Sequence, residues 1–283
     1  MKLKEAFNLK FSSPVLRRIL KTVFKEGKYY KIRFGKFKGL KSYYRKDINF
    51  HTLMGLLETD SMEALGKLLR QFDFLDKDIV VADVGANLGY YSMYFAKNLT
   101  AKSKIYAFEP SVSILDVLHK NIKINGITNV EIVEAACSDR NGTVEFYIGR
   151  NHHTSSMLES WAGNSETGTL TKVRSISIDE FFSKGENREY PDLIKMDIEG
   201  AGVYALKGCD LCLLTKRPLF LMESHTPEED FAIGDLLRNY NYEAFRIDNQ
   251  KWVLFKDKNY LNTDGVWGTM ILIPTEKKQI FKN

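Results

Sequence analysis

The sequence predicts an α/β fold, a doubly wound, mostly parallel sheet closed by antiparallel strands at its C-terminal end. Three observations predict it. Short apolar runs of strand length alternate with longer helical patterns from about residue 79 to residue 240. A glycine-containing loop, Asp83-Val84-Gly85-Ala86-Asn87-Leu88-Gly89, joins the first such run to the first helix. Acidic side chains follow the apolar cores of later strands, at Glu109, Asp197 and Glu223.

The elements follow in order. Residues 12–26 form an amphipathic helical pattern, with Pro14 in the first turn and Val15, Leu16, Ile19, Leu20 and Val23 at helical spacing. Residues 29–44 read as strands broken at Gly35 and Gly39, and a helix is expected over residues 58–72. The alternation then begins with strand 79–84, helix 90–98, strand 104–109, helix 111–125 ending at Gly126, and strand 130–136. A hairpin over 143–148 and 171–178 interrupts it, across a polar stretch 149–168. Strand 193–196, helix 201–207, strand 219–222 and helix 227–240 resume the pattern, and 242–247, 251–255 and 266–273 read as closing strands. The expected organisation is therefore a helix-and-hairpin extension, residues 1–57, before an α/β domain, residues 58–283.

The chain has 283 residues, 44% hydrophobic and 27% charged, the balance of an ordinary soluble protein with a sizeable core. No apolar run approaches the roughly 20 residues of a membrane-spanning helix, and the first residues do not read as a secretory signal. Three cysteines argue against a disulfide framework and for a reducing, cytoplasmic compartment. Cys209 and Cys212 form a C-x-x-C with no second pair beside it, and read as small buried residues. The net charge of +5 is uneven: residues 1–46 hold 15 Lys or Arg against Glu5 and Glu26, +13 in all, leaving −8 for the remainder. Such a segment favours an anionic surface, and peripheral association with a membrane is one expectation.

Ligands of an open parallel sheet bind beyond the carboxyl ends of the strands. The loop from Asp83 to Gly89 lies there, and Gly85 and Gly89 read as positions of positive φ that let backbone approach a ligand. Ala86 and Asn87 lie between them. Glu109, followed by Pro110, can accept hydrogen bonds from both hydroxyls of a ribose. Ala136-Cys137-Ser138-Asp139, after the third strand, lies where an adenine edge could be read, with Ser138 and Asp139 as its contacts. A nicotinamide dinucleotide is the rival, but its G-x-G-x-x-G fingerprint has glycine where this chain has Asn87. Asp83 would also sit poorly beside a pyrophosphate and suits a zwitterionic, sulfonium-bearing cofactor.

Asp197 and Glu199 cap the fourth strand, Glu223 and His225 the fifth, and side chains two apart on a strand share a face. His225 is the preferred general base, oriented by Glu223 or Asp197, because histidine titrates closest to neutral pH. The three carboxylates and the histidine could instead hold a divalent cation, although the expected site needs none. The stretch around His152, His153, Ser155, Ser156 and Trp161 reads as a substrate lid, with His153, Ser155 and Ser156 as its contacts.

These residues resemble the FkbM-type methyltransferases from about residue 31 to residue 274. The resemblance rests on Asp83-Val84-Gly85-Ala86-Asn87-Leu88-Gly89-Tyr90-Tyr91-Ser92, on Phe108-Glu109-Pro110 and on Lys195-Met196-Asp197-Ile198-Glu199-Gly200. It implies a seven-stranded Rossmann-like methyltransferase sheet and S-adenosyl-L-methionine as cofactor, with contacts at Asp83, Gly85, Asn87 and Glu109. It also implies methylation of a hydroxyl on a sugar, glycan or other small-molecule acceptor. Where the family often reads Glu-Gly-x-Glu, this chain has Glu199-Gly200-Ala201-Gly202, so the last acid is missing. Two rival readings follow from the basic segment: methylation of nucleic acid, or a non-catalytic cofactor-binding module docked on an anionic surface. No Asn-Pro-Pro-Tyr-like tetrapeptide for a flipped base accompanies the fourth strand, which argues against nucleic acid. The sequence names neither the acceptor nor the oligomeric state.

Overall fold

The alternation of strands and helices takes the form of an eight-stranded sheet with buried residues on both faces. The computed structural model describes residues 23–45, 53–55, 57–148, 156–157, 169–248, 251–254 and 268–280. Two units are distinguished, residues 1–57 and 58–283. In the first, β1 (Tyr29–Lys31) pairs antiparallel with β2 (Lys41–Tyr43), and Ile32, Phe37, Leu40 and Tyr44 are buried. The helix expected at 12–26 lies, but for its last residues, outside the described residues.

The second unit begins with α1 (Thr59–Gln71), β3 (Val80–Val84), α2 (Tyr90–Asn98), β4 (Lys104–Phe108), α3 (Val112–Ile124) and β5 (Val130–Val133). There follow β6 (Ala136–Cys137), β7 (Gly142–Ile148), β8 (Thr169–Ile176), α4 (Ile178–Ser183), β9 (Leu193–Met196), α5 (Gly202–Lys207) and α6 (Asp210–Thr215). It ends with β10 (Leu219–Ser224), α7 (Pro227–Asn239), β11 (Tyr242–Asp248), β12 (Lys251–Leu254) and β13 (Gly268–Pro274). The main sheet has the order β12-β11-β13-β10-β9-β3-β4-β5. Strands β10, β9, β3, β4 and β5 are parallel neighbours, and β13 is antiparallel between β10 and β11. The seven strands of the doubly wound, Rossmann-like sheet are thus in place. The eighth, β12, pairs antiparallel with β11 at the edge.

Strands covered on both faces read as continuous apolar runs. Val80, Ala82 and Val84 of β3, Ile194 and Met196 of β9 and Phe220 and Met222 of β10 belong to one core cluster with residues of α4, α6 and α7. The alternate positions, Val81, Asp83, Leu193, Lys195 and Leu221, are buried as well. Two of those alternates are therefore charged groups inside the fold.

The expected strand 130–136 is two strands in different sheets. A tight turn, with Ala135 N–H donating to Val133 O at 2.8 Å, ends β5, and Ala136–Cys137 pairs with β8 in a three-stranded sheet, β6-β8-β7. Two short helices, α4 and α6, arise where the sequence pattern showed none. Ser177 caps α4, its Oγ accepting from Glu180 N–H at 3.2 Å, and the Asp179 carboxylate accepts from Leu211 and Cys212 N–H groups. Cys209 and Cys212 are fully buried free thiols. No helix among the described residues is long and apolar enough to cross a membrane.

Candidate active site

The chain leaves β3 for β4 on one side and later lays β9 on the other. The carboxyl end of β3 is thus the switch point of the sheet, where a crevice opens. The loop after β3 needs its glycines for a reason internal to the protein. Gly85 and Gly89 have φ of 79° and 83°, a region that side chains with a Cβ rarely enter. A Cβ on Gly85 would lie 2.0 Å from the Asp197 carbonyl oxygen, and one on Gly89 2.4 Å from Leu118 Cδ1. The close approach they permit is to the end of β9 and to α3, and Gly85 also lines the crevice. Asn87 also has a positive φ, 50°, which asparagine tolerates. Its N–H donates to Glu109 Oε2 at 2.9 Å.

Asp83 is fully buried and does not line the crevice. Its Oδ2 accepts from Ser92 Oγ at 2.5 Å, and its Oδ1 lies 3.6 Å from the Lys195 ammonium. Asp83 and Lys195 are register partners across β3 and β9. Lys195 Nζ also donates to Gly85 O at 2.9 Å, lies 3.6 Å from Asp197 Oδ2, and sits 5.1 Å from the centre of the Tyr91 ring. Burial opposes its charge, but Asp197 and Asp83 outweigh it and raise its pKa. The lysine therefore stays an ammonium and ties the loop to the end of β9. The Tyr91 hydroxyl in turn donates to Glu58, whose pKa burial raises.

Beyond the loop lies an open cleft. Phe108, Ile114, Ala135, Cys137, Phe146 and Met157 give it an apolar wall, and Glu109, Asp197 and Glu199 are its acids. Asn87 and Ser111 N–H groups each donate to one oxygen of Glu109 at 2.9 Å. Both oxygens keep a lone pair for a diol. Burial raises the Glu109 pKa to about 7, against those two hydrogen bonds. Pro110 lines the same cleft. Of the segment expected at an adenine edge, Ala136 and Cys137 line the cleft, beside Ala135, whereas Ser138 and Asp139 do not. Ser138 N–H is used by Ile176 O at 2.9 Å, and a Cβ on Gly208 would lie 2.2 Å from Ser138 O, so this backbone packs into the fold. Ser138 Oγ donates to Asp139 Oδ1.

Asp197 and Glu199 follow β9, Glu223 and His225 end β10, and β9 and β10 are adjacent. Asp197, Glu223 and His225 each bring one oxygen or nitrogen within 4.8 Å of the other two. His225 Nε2 lies 3.4 Å from Asp197 Oδ1 and 3.7 Å from Glu199 Oε2, and Nδ1 3.6 Å from Glu229 Oε2. Burial would lower the His225 pKa, but Glu229, Asp197 and Glu199 raise it to about 9. Glu223 is pushed up to about 7, by burial first and then by Asp197 and Glu58. At neutral pH the imidazole is therefore a cation, and within this cluster Glu223 is the group poised to exchange a proton.

Of the expected substrate contacts, His153 and Ser155 lie outside the described residues, as do His152 and Trp161. Ser156 is buried, pairs with Tyr147, and donates from Oγ to the Glu199 carbonyl at 2.6 Å, so it holds the end of β9. Ala86 is buried in the loop. Sequence reasoning passed over Lys195 and Glu229. A lysine between Ile194 and Met196 in an apolar strand was a usable signal, whereas Thr226-x-x-Glu229 has the form of a helix capping box.

A buried carboxylate with lone pairs to spare, an apolar wall and two further acids in one cleft have the chemistry to fit an adenosine bearing a cationic end. The profile of the Methyltransferase FkbM domain matches residues 83–244. The chain is 26% identical to "Methyltransferase sdnD" of Sordaria araneosa, over 55% of this chain and 75% of that protein. It is 22% identical to "Methyltransferase 1" of Beauveria bassiana, over 62% of this chain and 76% of the other. Among solved structures, the methyltransferase FkbM of Methylobacillus flagellatus aligns with a TM-score of 0.45 and 16% identity, over 69% of this chain. The present chain spans 43% of that longer one.

Proposed function

Because the chain belongs to the FkbM methyltransferase domain family, we propose that it methylates a hydroxyl group, on a sugar, glycan or other small hydroxylated molecule. It is a methyltransferase, and its cofactor is S-adenosylmethionine, which supplies the methyl group activated on a sulfonium. Glu109 would hold the ribose hydroxyls, the wall from Phe108 to Met157 the adenine, and Asp197 and Glu199 would face the cationic end. Positioning of the two reactants contributes up to about 7–11 kcal/mol to such a step.

The observation that carries the acceptor side is the meeting of Asp197, Glu223 and His225 within 4.8 Å beside the cleft acids. The preferred base moves from His225 to Glu223. A proton acceptor works best with a pKa near the working pH; Glu223 stands at about 7 and His225 at about 9. Glu223 takes the hydroxyl proton, and the His225 cation balances the acids around it. Purified protein with methyl-labelled S-adenosylmethionine, offered saccharides, simple alcohols, phenols and amines, tests this. Label on an acceptor oxygen supports it. Label on nitrogen alone, or normal cofactor binding with no transfer, would overturn it.

The N-terminal charge supports a second element of this reading, a cytoplasmic protein resting on an anionic bilayer through residues 1–46. About 1 kcal/mol accrues per well-placed Lys or Arg. Co-sedimentation with phosphatidylserine vesicles that survives deletion of residues 1–28 would sink it.

A further inference from the structure

Gly202 opens α5 at the position where the sequence lacks the second acid of the Glu-Gly-x-Glu pattern. The space a side chain would take there is filled. A Cβ on Gly202 would lie 2.7 Å from Glu229 Oε1 and 2.8 Å from Met222 Cε. Glu229 comes from α7, is fully buried, and accepts from Gly202 N–H through Oε1 at 2.8 Å. Its other oxygen accepts from His225 N–H at 2.7 Å. In a capping box the glutamate reaches back to the N–H of its own cap residue; here it passes Thr226 and joins two other elements.

We propose that Glu229 stands in for the missing acid as a positioning residue, fixing His225 and, through its ring, Asp197 and Glu199 at the cleft. A buried carboxylate is costly unless paired and hydrogen-bonded. Glu229 gains two N–H donors and faces the imidazole Nδ1 at 3.6 Å. The opposite ring nitrogen faces Asp197 and Glu199, both of which line the cleft. The groups facing the imidazole are thus Asp197 and Glu199 after β9, Glu223 on β10 and Glu229 on α7. Glycine at 202 and glutamate at 229 depend on each other: a larger residue at 202 needs that carboxylate to leave.

The inference rests on the acceptor-side reading for its role in catalysis but not for its geometry, and two readouts separate them. The first follows the His225 imidazole by NMR titration in the full chain with S-adenosylhomocysteine as the bound probe. Glu229→Gln, which keeps the shape, is expected to lower the midpoint by one pH unit or more while probe affinity changes less than threefold. The second is the swap Glu229→Ala/Gly202→Glu, expected to recover the midpoint and at least a third of the methyl transfer that Glu229→Ala loses. An unmoved midpoint in Glu229→Gln overturns the proposal, as does a folded swap variant no better than Glu229→Ala. Transfer unaffected by Glu223→Gln would instead sink the proton-acceptor reading and leave the coupling of Glu229 to His225 standing.

Discussion

The proton acceptor is open to a quantitative test, because the two candidates titrate about two pH units apart. Take the rate of methyl transfer with saturating cofactor between pH 6 and pH 8. With Glu223 at about 7 as acceptor, its carboxylate fraction rises from roughly 9% to roughly 91%, about tenfold, and levels off above pH 8. With His225 at about 9 as acceptor, the neutral fraction rises about ninetyfold over the same interval and keeps rising past pH 9. The assay is S-adenosylhomocysteine release with an acceptor found in the hydroxyl panel, read at half-unit steps. Two variants sharpen it. Glu223→Gln is expected to abolish the limb near 7. His225→Asn is expected to move that limb upward, because the imidazolium charge lowers the Glu223 pKa. A profile that climbs through pH 9 and persists in Glu223→Gln would refute the reasoning.

Glu109→Gln is expected to weaken cofactor binding by about 10- to 100-fold, as a hydrogen bond to a charged group contributes about 1.5–3 kcal/mol; calorimetry giving less than threefold would speak against a diol at Glu109. Gly85→Ala should lose about 2–5 kcal/mol of stability in urea unfolding, combining a positive φ of 79° with a Cβ 2.0 Å from the Asp197 carbonyl. A loss under 1 kcal/mol would mean the loop relaxes freely. Dialysis against EDTA should leave turnover unchanged, because the cations facing Asp197 are the Lys195 ammonium and the His225 imidazolium; activity lost and then restored by magnesium would place a divalent ion there.

Much of the fold was legible because its signals are local. Periodicity placed helix 90–98 and strand 193–196 at their observed bounds, and Asn87 in place of a glycine turned the loop from a dinucleotide. Glu109 was legible as a candidate for the same reason: the end of a strand beside a glycine loop is a local address. What periodicity did not fix was which way some of the loop and turn residues face. Asp83 turned into the fold toward Lys195 and Ser92, and Ser138 was drawn to Ile176 and Gly208 instead of the cleft.

The sequence by itself thus determined the strand and helix order, the donor loop and the candidate acids at the strand ends. These follow from hydrophobic period and turn chemistry, which act over a few residues. Only the tertiary structure decided which acid holds a proton at neutral pH and which side chain occupies the space beside Gly202. Burial and charge at Glu223 are set by Asp197 and Glu58, and those at His225 by Asp197, Glu199 and Glu229. Groups that far apart in the chain, some on other elements, meet through packing, and low-dielectric electrostatics acts between neighbours in space.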